Sequence, residues 1–260
     1  MFKALLLAQW HNLSDPWLEY AISDRNSFRR FIGLPLDEVA PDETSFVRFR
    51  AALRAHKLEQ RVFDSIMDQM DAQGLVLREG TLMDATIVQA AVKPPSSKEG
   101  KVSAADPSAE FTKKNDKSYF GYKLHIGMDQ GSKLIRRLLT SGASLRDGQA
   151  SRDLISGDEG AVYADKAYGS KELRDELEAK GIKDQIMYKA SRNKKLTPWQ
   201  QAFNKAVSPI RSMVESPFGI GKMCSGLDRT RYRGIEAVTT GHYLFGISYN
   251  LKIAFGRLKN

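Results

Sequence analysis

Over the first 80 residues the apolar positions fall at helical spacing. Ala4 to His11 and Trp17 to Ile22 form two such runs, separated by Ser14-Asp15-Pro16, where Asp15 is placed to cap and Pro16 to open the next helix. Phe28, Phe31, Ile32 and Leu34 follow before Pro35 and Pro41 interrupt the chain. Trp10, Trp17, Phe28 and Phe31 read as the core of this front region. From Asp42 a longer pattern through Phe46, Phe49, Leu53, Leu58, Val62, Phe63, Ile66 and Met70 runs to Gly74 and predicts an amphipathic helical hairpin. Residues 1–78 are therefore expected to be a helical N-terminal region.

The period then changes. Thr81 to Val88 (TLMDATIV), Tyr122 to Asp129 (YKLHIGMD) and Leu134 to Thr140 read as strands, the last two joined as a hairpin around Gly131. Residues 93–118, rich in Lys, Ser, Pro and Asp, are expected to be a mobile loop. GAVYA (Gly160 to Ala164) is a short buried strand, followed by a helix at Ser170 to Ala179 and a strand at Asp184 to Met187. Thr197-Pro198 and Ser208-Pro209 start two further helices, and an apolar helix runs from Glu236 to Arg257. Three strands in sequence, then helix, strand, helix and strand, imply an α/β domain over 79–260, with an antiparallel unit extended by parallel strands. That is the outline of a ribonuclease H-like mixed sheet flanked by helices, with which several other α/β folds share features.

Charge adds a direction to this plan. Of the 260 residues, 40 are Lys or Arg and 31 Asp or Glu, a net charge of +9 that favours polyanionic partners. Residues 1–92 carry ten basic against thirteen acidic side chains, whereas residues 188–260 carry thirteen against three. The single cysteine, Cys224, excludes an intrachain disulfide and a cysteine-rich zinc cluster, and fits a reducing cytoplasm. It reads as a small buried residue. The apolar stretches Ala4 to Ala8 and Tyr243 to Phe255 are too short or too interrupted to span a bilayer.

Three acidic residues stand out by context. Asp84 lies within an apolar strand, where an unpaired carboxylate is expensive to bury. Asp165 follows the strand AVYA, at the end where α/β sheets present ligand-binding groups. Glu215 is expected on a helix that starts at Ser208, with Arg211 and Lys222 within about 40° of the same face. Taken singly, these residues also read as a strand-edge acid, a turn cap and a surface ion pair. Together, in this order on these elements, they suit two hard divalent cations and in-line phosphoryl transfer.

These residues lie in segments that resemble the DDE transposases of bacterial insertion sequences, specifically insertion sequence family five. The segments are GTLMDATIVQAA around Asp84, FGYKLHIGMD at 120–129, VYADKAYGS around Asp165 and IRSMVESPFGIGK around Glu215, with LLLAQWHNLSD and PDETSFVRFRAAL in the front region. The resemblance implies that Asp84, Asp165 and Glu215 form the catalytic, metal-binding triad, 81 and 50 residues apart. It further implies two Mg²⁺ ions, with Mn²⁺ as a substitute, cleavage at transposon ends and strand transfer into target DNA. The implied partners are terminal inverted repeats and target DNA, bound by a homo-oligomer on the bacterial nucleoid, with no membrane involvement.

The family signature Tyr-x2-Arg-x3-Glu-x6-Lys reads here as Ser208, Arg211, Glu215 and Lys222, so a serine replaces the tyrosine. Arg211 and Lys222 are expected to hold phosphates. Relatives carry several dozen residues ahead of LLLAQWHNLSD, so a truncated relative is expected. Alternatives are a metal-dependent nuclease of the same fold and a non-catalytic DNA-binding remnant. Pro217, just after Glu215, is expected to bend its helix.

Other positions carry weaker signals. Between Tyr188 and Arg233, ten basic residues, Arg192 among them, interleave with Trp199, Phe203, Phe218 and Tyr232, and read as a DNA-backbone track or as a solvated face. Arg229, Arg231 and Arg233 are the favoured DNA contacts of this track. Lys113, Lys114 and Lys117 belong to the expected mobile loop and read either as cations that order on DNA or as a soluble linker. His125, on a strand, reads as a core histidine, and the four histidines have no metal-ligand spacing.

Overall fold

The computed structural model of the chain describes residues 1–96, 100, 102–191 and 194–258. Arg192 of the basic track and residues 97–99 and 101 of the expected loop lie outside the described residues. Five helices form the front region: α1 (Phe2–His11), α2 (Asp15–Asp24), α3 (Asn26–Ile32), α4 (Glu43–Ala55) and α5 (Leu58–Ala72). Asp42 caps α4 by accepting the Ser45 N–H at 2.6 Å. Asp15, expected to cap α2, instead forms a two-pronged ion pair with the buried Arg50 of α4. Phe28 is buried with Leu5, Leu18, Ile22, Phe46 and Leu53, but Trp17 is 62% exposed and lies edge-on to Tyr20. Leu18, Ala21 and Ile22 form the inward face of α2, and Trp17 sits one step, about 100°, off it.

Among the described residues six strands form one mixed sheet: β1 (Thr81–Gln89), β2 (Glu110–Lys114), β3 (Lys117–Asp129), β4 (Ile135–Gly142), β5 (Ala161–Ala164) and β6 (Lys183–Ile186). Long β3 runs antiparallel to β1 on one edge; on the other it pairs with β4 over Tyr122 to Met128 and with β2 over Lys117 to Gly121. Parallel to β1 lies β5, and β6 is parallel to β5. The crossovers carry α6 (Ser151–Leu154) and α7 (Lys171–Ala179). Four strands paired antiparallel through β3, followed by two parallel ones, make the fold ribonuclease H-like.

Part of the expected mobile loop is therefore sheet. Asn115 and Asp116 both have positive φ, 49° and 60°, which is the backbone of a two-residue hairpin turn between β2 and β3. Its strands, EFTKK and KSYFG, alternate weakly in hydropathy because β2 lies at an edge and is only half-buried.

The carboxyl-terminal helix α10 (Ile235–Leu258) joins the two regions. Its Phe245, Ile247 and Tyr249 share a core with Leu82, Leu124 and Ile126 of the sheet, Leu6 of α1 and Phe63 of α5. Asn250 replaces a missing strand neighbour at the start of β4, accepting the Ile135 N–H at 2.8 Å and donating to the Ile135 carbonyl at 2.7 Å. His125 is a core histidine, hydrogen-bonded to Ser141 at 2.9 Å, and His242 of α10 meets Thr140 at 2.7 Å. Among the described residues no helix is long and apolar enough to cross a membrane.

Candidate active site

The parallel pairing of β1 with β5 sets the site. Met83 lies opposite Ala164, so the next residue on each strand, Asp84 and Asp165, comes side by side where the two strands end their pairing. Parallel neighbours in register point to the same face, here the face that Leu82 and Tyr163 present to the main core. Both carboxylates open into a cleft of about 600 Å³.

Glu215 reaches that cleft from the helical layer, by a route the sequence did not suggest. A single helix from Ser208 was expected to carry Arg211, Glu215 and Lys222; instead α8 (Pro198–Ser212) ends and α9 (Glu215–Cys224) begins anew. Pro217 is the physical reason. Within a continuous helix its ring would meet the carbonyl of Met213 and its nitrogen would donate nothing. The chain instead breaks at Met213 and Val214, leaving Pro217 in the first turn of α9, where a missing N–H has no intrahelical partner to lose. Pro209, expected to start a helix, lies inside α8. The break leaves Glu215 at the first position of α9, where the helix dipole favours its negative charge.

Arg211, in the last turn of α8, faces the same cleft and stands between two of the acids. Its guanidinium donates to Glu215 Oε1 at 2.6 Å and reaches Asp84 Oδ2 at 3.4 Å. Asp165 Oδ1 accepts the Ala167 N–H at 3.0 Å, and Asp84 Oδ1 accepts its neighbour Ala85 N–H at 2.8 Å. Burial pushes the Asp84 carboxyl above its ordinary range; the Ala85 N–H, Arg211 and Lys114 oppose that rise and Glu215 adds to it.

The structure thus brings Asp84, Asp165, Glu215, Arg211 and Lys222 to one cleft. It does not bring the acids into a closed cage: among the described residues no three His, Cys, Asp or Glu side chains stand close enough to hold one ion. The donor chemistry nevertheless fits a hard divalent cation. Three carboxylates on three separate elements face one space, with a cationic guanidinium lying between two of them.

The remaining basic candidates lie elsewhere. Arg229 donates to the Ala90 carbonyl at 3.2 Å, and Arg231 donates to the carbonyls of Leu13 and Asn12 at 2.6 and 2.9 Å. Both guanidinium groups therefore fasten the segment after α9 to β1 and to the end of α1. Arg233 is exposed and lines a second cleft, together with Arg54 and Tyr232.

Several cleft residues escaped the sequence reading. Lys123 and Asp147 form an ion pair at 2.8 Å in the cleft wall, and Lys123 also donates to the Leu145 carbonyl at 2.7 Å. The signal that marked Asp84, a charge inside an apolar strand, was equally present for Lys123 in YKLHI. Lys113 and Lys114 line the cleft from β2 rather than from a mobile loop. Tyr168, 1% exposed, packs beneath it, and nothing in the sequence distinguished it from an ordinary core tyrosine.

Residues 77–251 match the family model described as the transposase DDE domain, and residues 1–52 match a second one, Transposase domain (DUF772). The first match covers most of the chain, which therefore belongs to the DDE transposase family. Transposases of this family depend in general on divalent metal ions. Among solved structures, the cryo-EM structure of a piggyBac transposase synaptic complex with hairpin DNA is similar at 13% identity and a TM-score of 0.49. The alignment takes in 98% of this chain, which spans 64% of the length of the piggyBac chain.

Proposed function

We propose that this chain is a DNA transposase of insertion sequence family five that cleaves at transposon ends and transfers the resulting strands into target DNA. The observation that carries the proposal is the register of β1 and β5, which sets Asp84 beside Asp165 on the cleft that also receives Glu215. Asp84, Asp165 and Glu215 are assigned as the metal ligands, for two Mg²⁺ ions. When bound, such ions supply Lewis acidity and stabilise the charge that develops on the attacking and leaving oxygens.

The protein's own groups position the substrate. Lys113, Lys114 and Lys222 stand around the mouth of the cleft as phosphate-holding cations, which fix the backbone without reading sequence. Arg211 neutralises two of the acids in the resting protein and is placed to turn to a phosphate once they are otherwise engaged. The reading divides the chain into a helical unit, 1–78, and a catalytic unit, 79–260, with terminal repeats, target DNA and a homo-oligomer on DNA as partners.

Asp165→Asn is the direct test. It is expected to abolish Mg²⁺-dependent cleavage of terminal-repeat DNA while leaving retention of that DNA in a gel shift nearly unchanged. A variant that cleaves at the wild-type rate would falsify the assignment. Joining of pre-cut ends to target DNA by the wild type is expected; cleavage without joining would identify a nuclease instead.

A further inference from the structure

One buried group in the cleft neither ligates metal nor holds phosphate. The Tyr168 hydroxyl is shut off from solvent and, among the described residues, has no hydrogen-bond partner. Buried phenols normally have one, so the orphan requires a reason. Its position is firmly held. Asp165 to Tyr168 form a tight turn closed by the Tyr168 N–H on the Asp165 carbonyl at 3.0 Å, and the ring packs with Met83, Val162, Ala164 and Leu173. The hydroxyl therefore cannot swing out to water, and a phosphate cannot reach it without displacing the cleft floor.

Its charged surroundings are chiefly acceptors. Asp147, Asp84 and Asp165 line the same cleft as Tyr168 and, with Arg211, are the charged groups that act on it. A phenol donates one hydrogen bond, so what it lacks is a carboxylate oxygen. Asp147 is already tied to Lys123 at 2.8 Å, and Asp165 Oδ1 is held by the Ala167 N–H. Asp84 Oδ1 is held in the same way by the Ala85 N–H at 2.8 Å, but its Oδ2 has a long 3.4 Å contact to Arg211 as its one partner among the described residues. Asp84 is therefore the acid whose second oxygen changes partner when a cation takes the place of that guanidinium.

We infer that Tyr168 is a positioning residue whose hydroxyl donates to Asp84 when that carboxylate leaves Arg211 for a divalent cation. Carboxylates that bind metals are themselves commonly held by such outer hydrogen bonds, whose loss weakens metal affinity about 10–100-fold. The inference rests on the metal-dependent reading of the site given above.

Tyr168→Phe tests it in the full chain without DNA. Mn²⁺ binding is measured by calorimetric titration, and Tm is measured in EDTA. The wild type is expected to bind Mn²⁺ and the variant to bind it about 10–100-fold more weakly. Its Tm in EDTA is expected to equal or exceed that of the wild type, because the resting hydroxyl has no bond to lose. The weakening is expected to persist in an Asp147→Asn background. Equal Mn²⁺ affinity, a lowered Tm in EDTA, or disappearance of the effect in Asp147→Asn would each overturn the inference while leaving the assignment of the triad standing. A wild type that binds no Mn²⁺ overturns both.

Discussion

Arg211 and Arg231 show how one residue type serves two purposes within twenty positions of sequence. Arg211 lies between acids that repel one another without it. Arg211→Ala is expected to lower Tm in EDTA by a few degrees, and Mn²⁺ is expected to recover most of that loss; an unchanged Tm in EDTA would show that the bridge contributes nothing to the resting protein. Arg231 instead satisfies two carbonyls at the end of α1. For DNA binding, each phosphate contact contributes about 0.9 to the slope of log affinity against log salt. Arg233→Ala is therefore expected to shallow that slope by about one contact, and Arg229→Ala and Arg231→Ala to leave it unchanged. Equal effects of all three would show that the two fastening arginines release their carbonyls for DNA. At this scale the sequence was legible for Asp84, because a carboxylate inside an apolar strand is anomalous wherever it falls. Glu215, 61% exposed, stood out instead through its spacing to Arg211 and Lys222, and Asp147 did not stand out at all. The sequence was not legible for arginines, since a guanidinium on a carbonyl and one on a phosphate have the same surroundings in sequence.

Among the elements, the strands other than β2 were readable from alternation and turn residues, and so was most of the front helical region. The α8–α9 break was misplaced because helical periodicity runs through it unchanged: Arg211 and Glu215 keep the spacing of one helix. The steric reach of a proline acts four residues upstream, so the interruption falls ahead of Glu215 rather than at Pro217 itself. Pro217→Ala is expected to leave the protein folded, with Tm equal or higher, and to slow cleavage severalfold as the two helices merge and Glu215 loses its place. Unaltered cleavage kinetics would mean that packing of Val214 and Phe218 in the core sets the break without the proline. The β2–β3 hairpin was hidden for another reason. Its Asn-Asp turn lies between short strands rich in lysine, whose charge masked the strand pattern.

For the molecule as a whole, two histidines make stability depend on pH. Burial holds His125 down at about 4 and His242 at about 3, against 6.5 for an exposed imidazole. Below pH 6.5 the unfolded chain takes up protons that the folded chain refuses, so stability is full above that value and falls steadily toward pH 4. The slope approaches about 1.4 kcal/mol per pH unit for each ring. Urea midpoints measured from pH 8 to 5 are expected to hold level and then decline below about 6.5; a level profile throughout would mean that water reaches both imidazoles.

The seat of α1 lies on α10, where the Trp10 indole N–H donates to the Ser248 carbonyl at 2.9 Å across 238 residues of chain. During synthesis, Leu5 and Leu6 therefore leave the ribosome long before their cover, Leu244 and Phe245, exists. Until translation has passed α10, Leu6 and the sheet face that Phe245 and Ile247 cover stay open, although Leu5, Leu18, Ile22, Phe46 and Leu53 already bury one another, and a chaperone or transient collapse must shield what is left. A message cut short anywhere before α10 accordingly yields a sticky fragment rather than a smaller working protein.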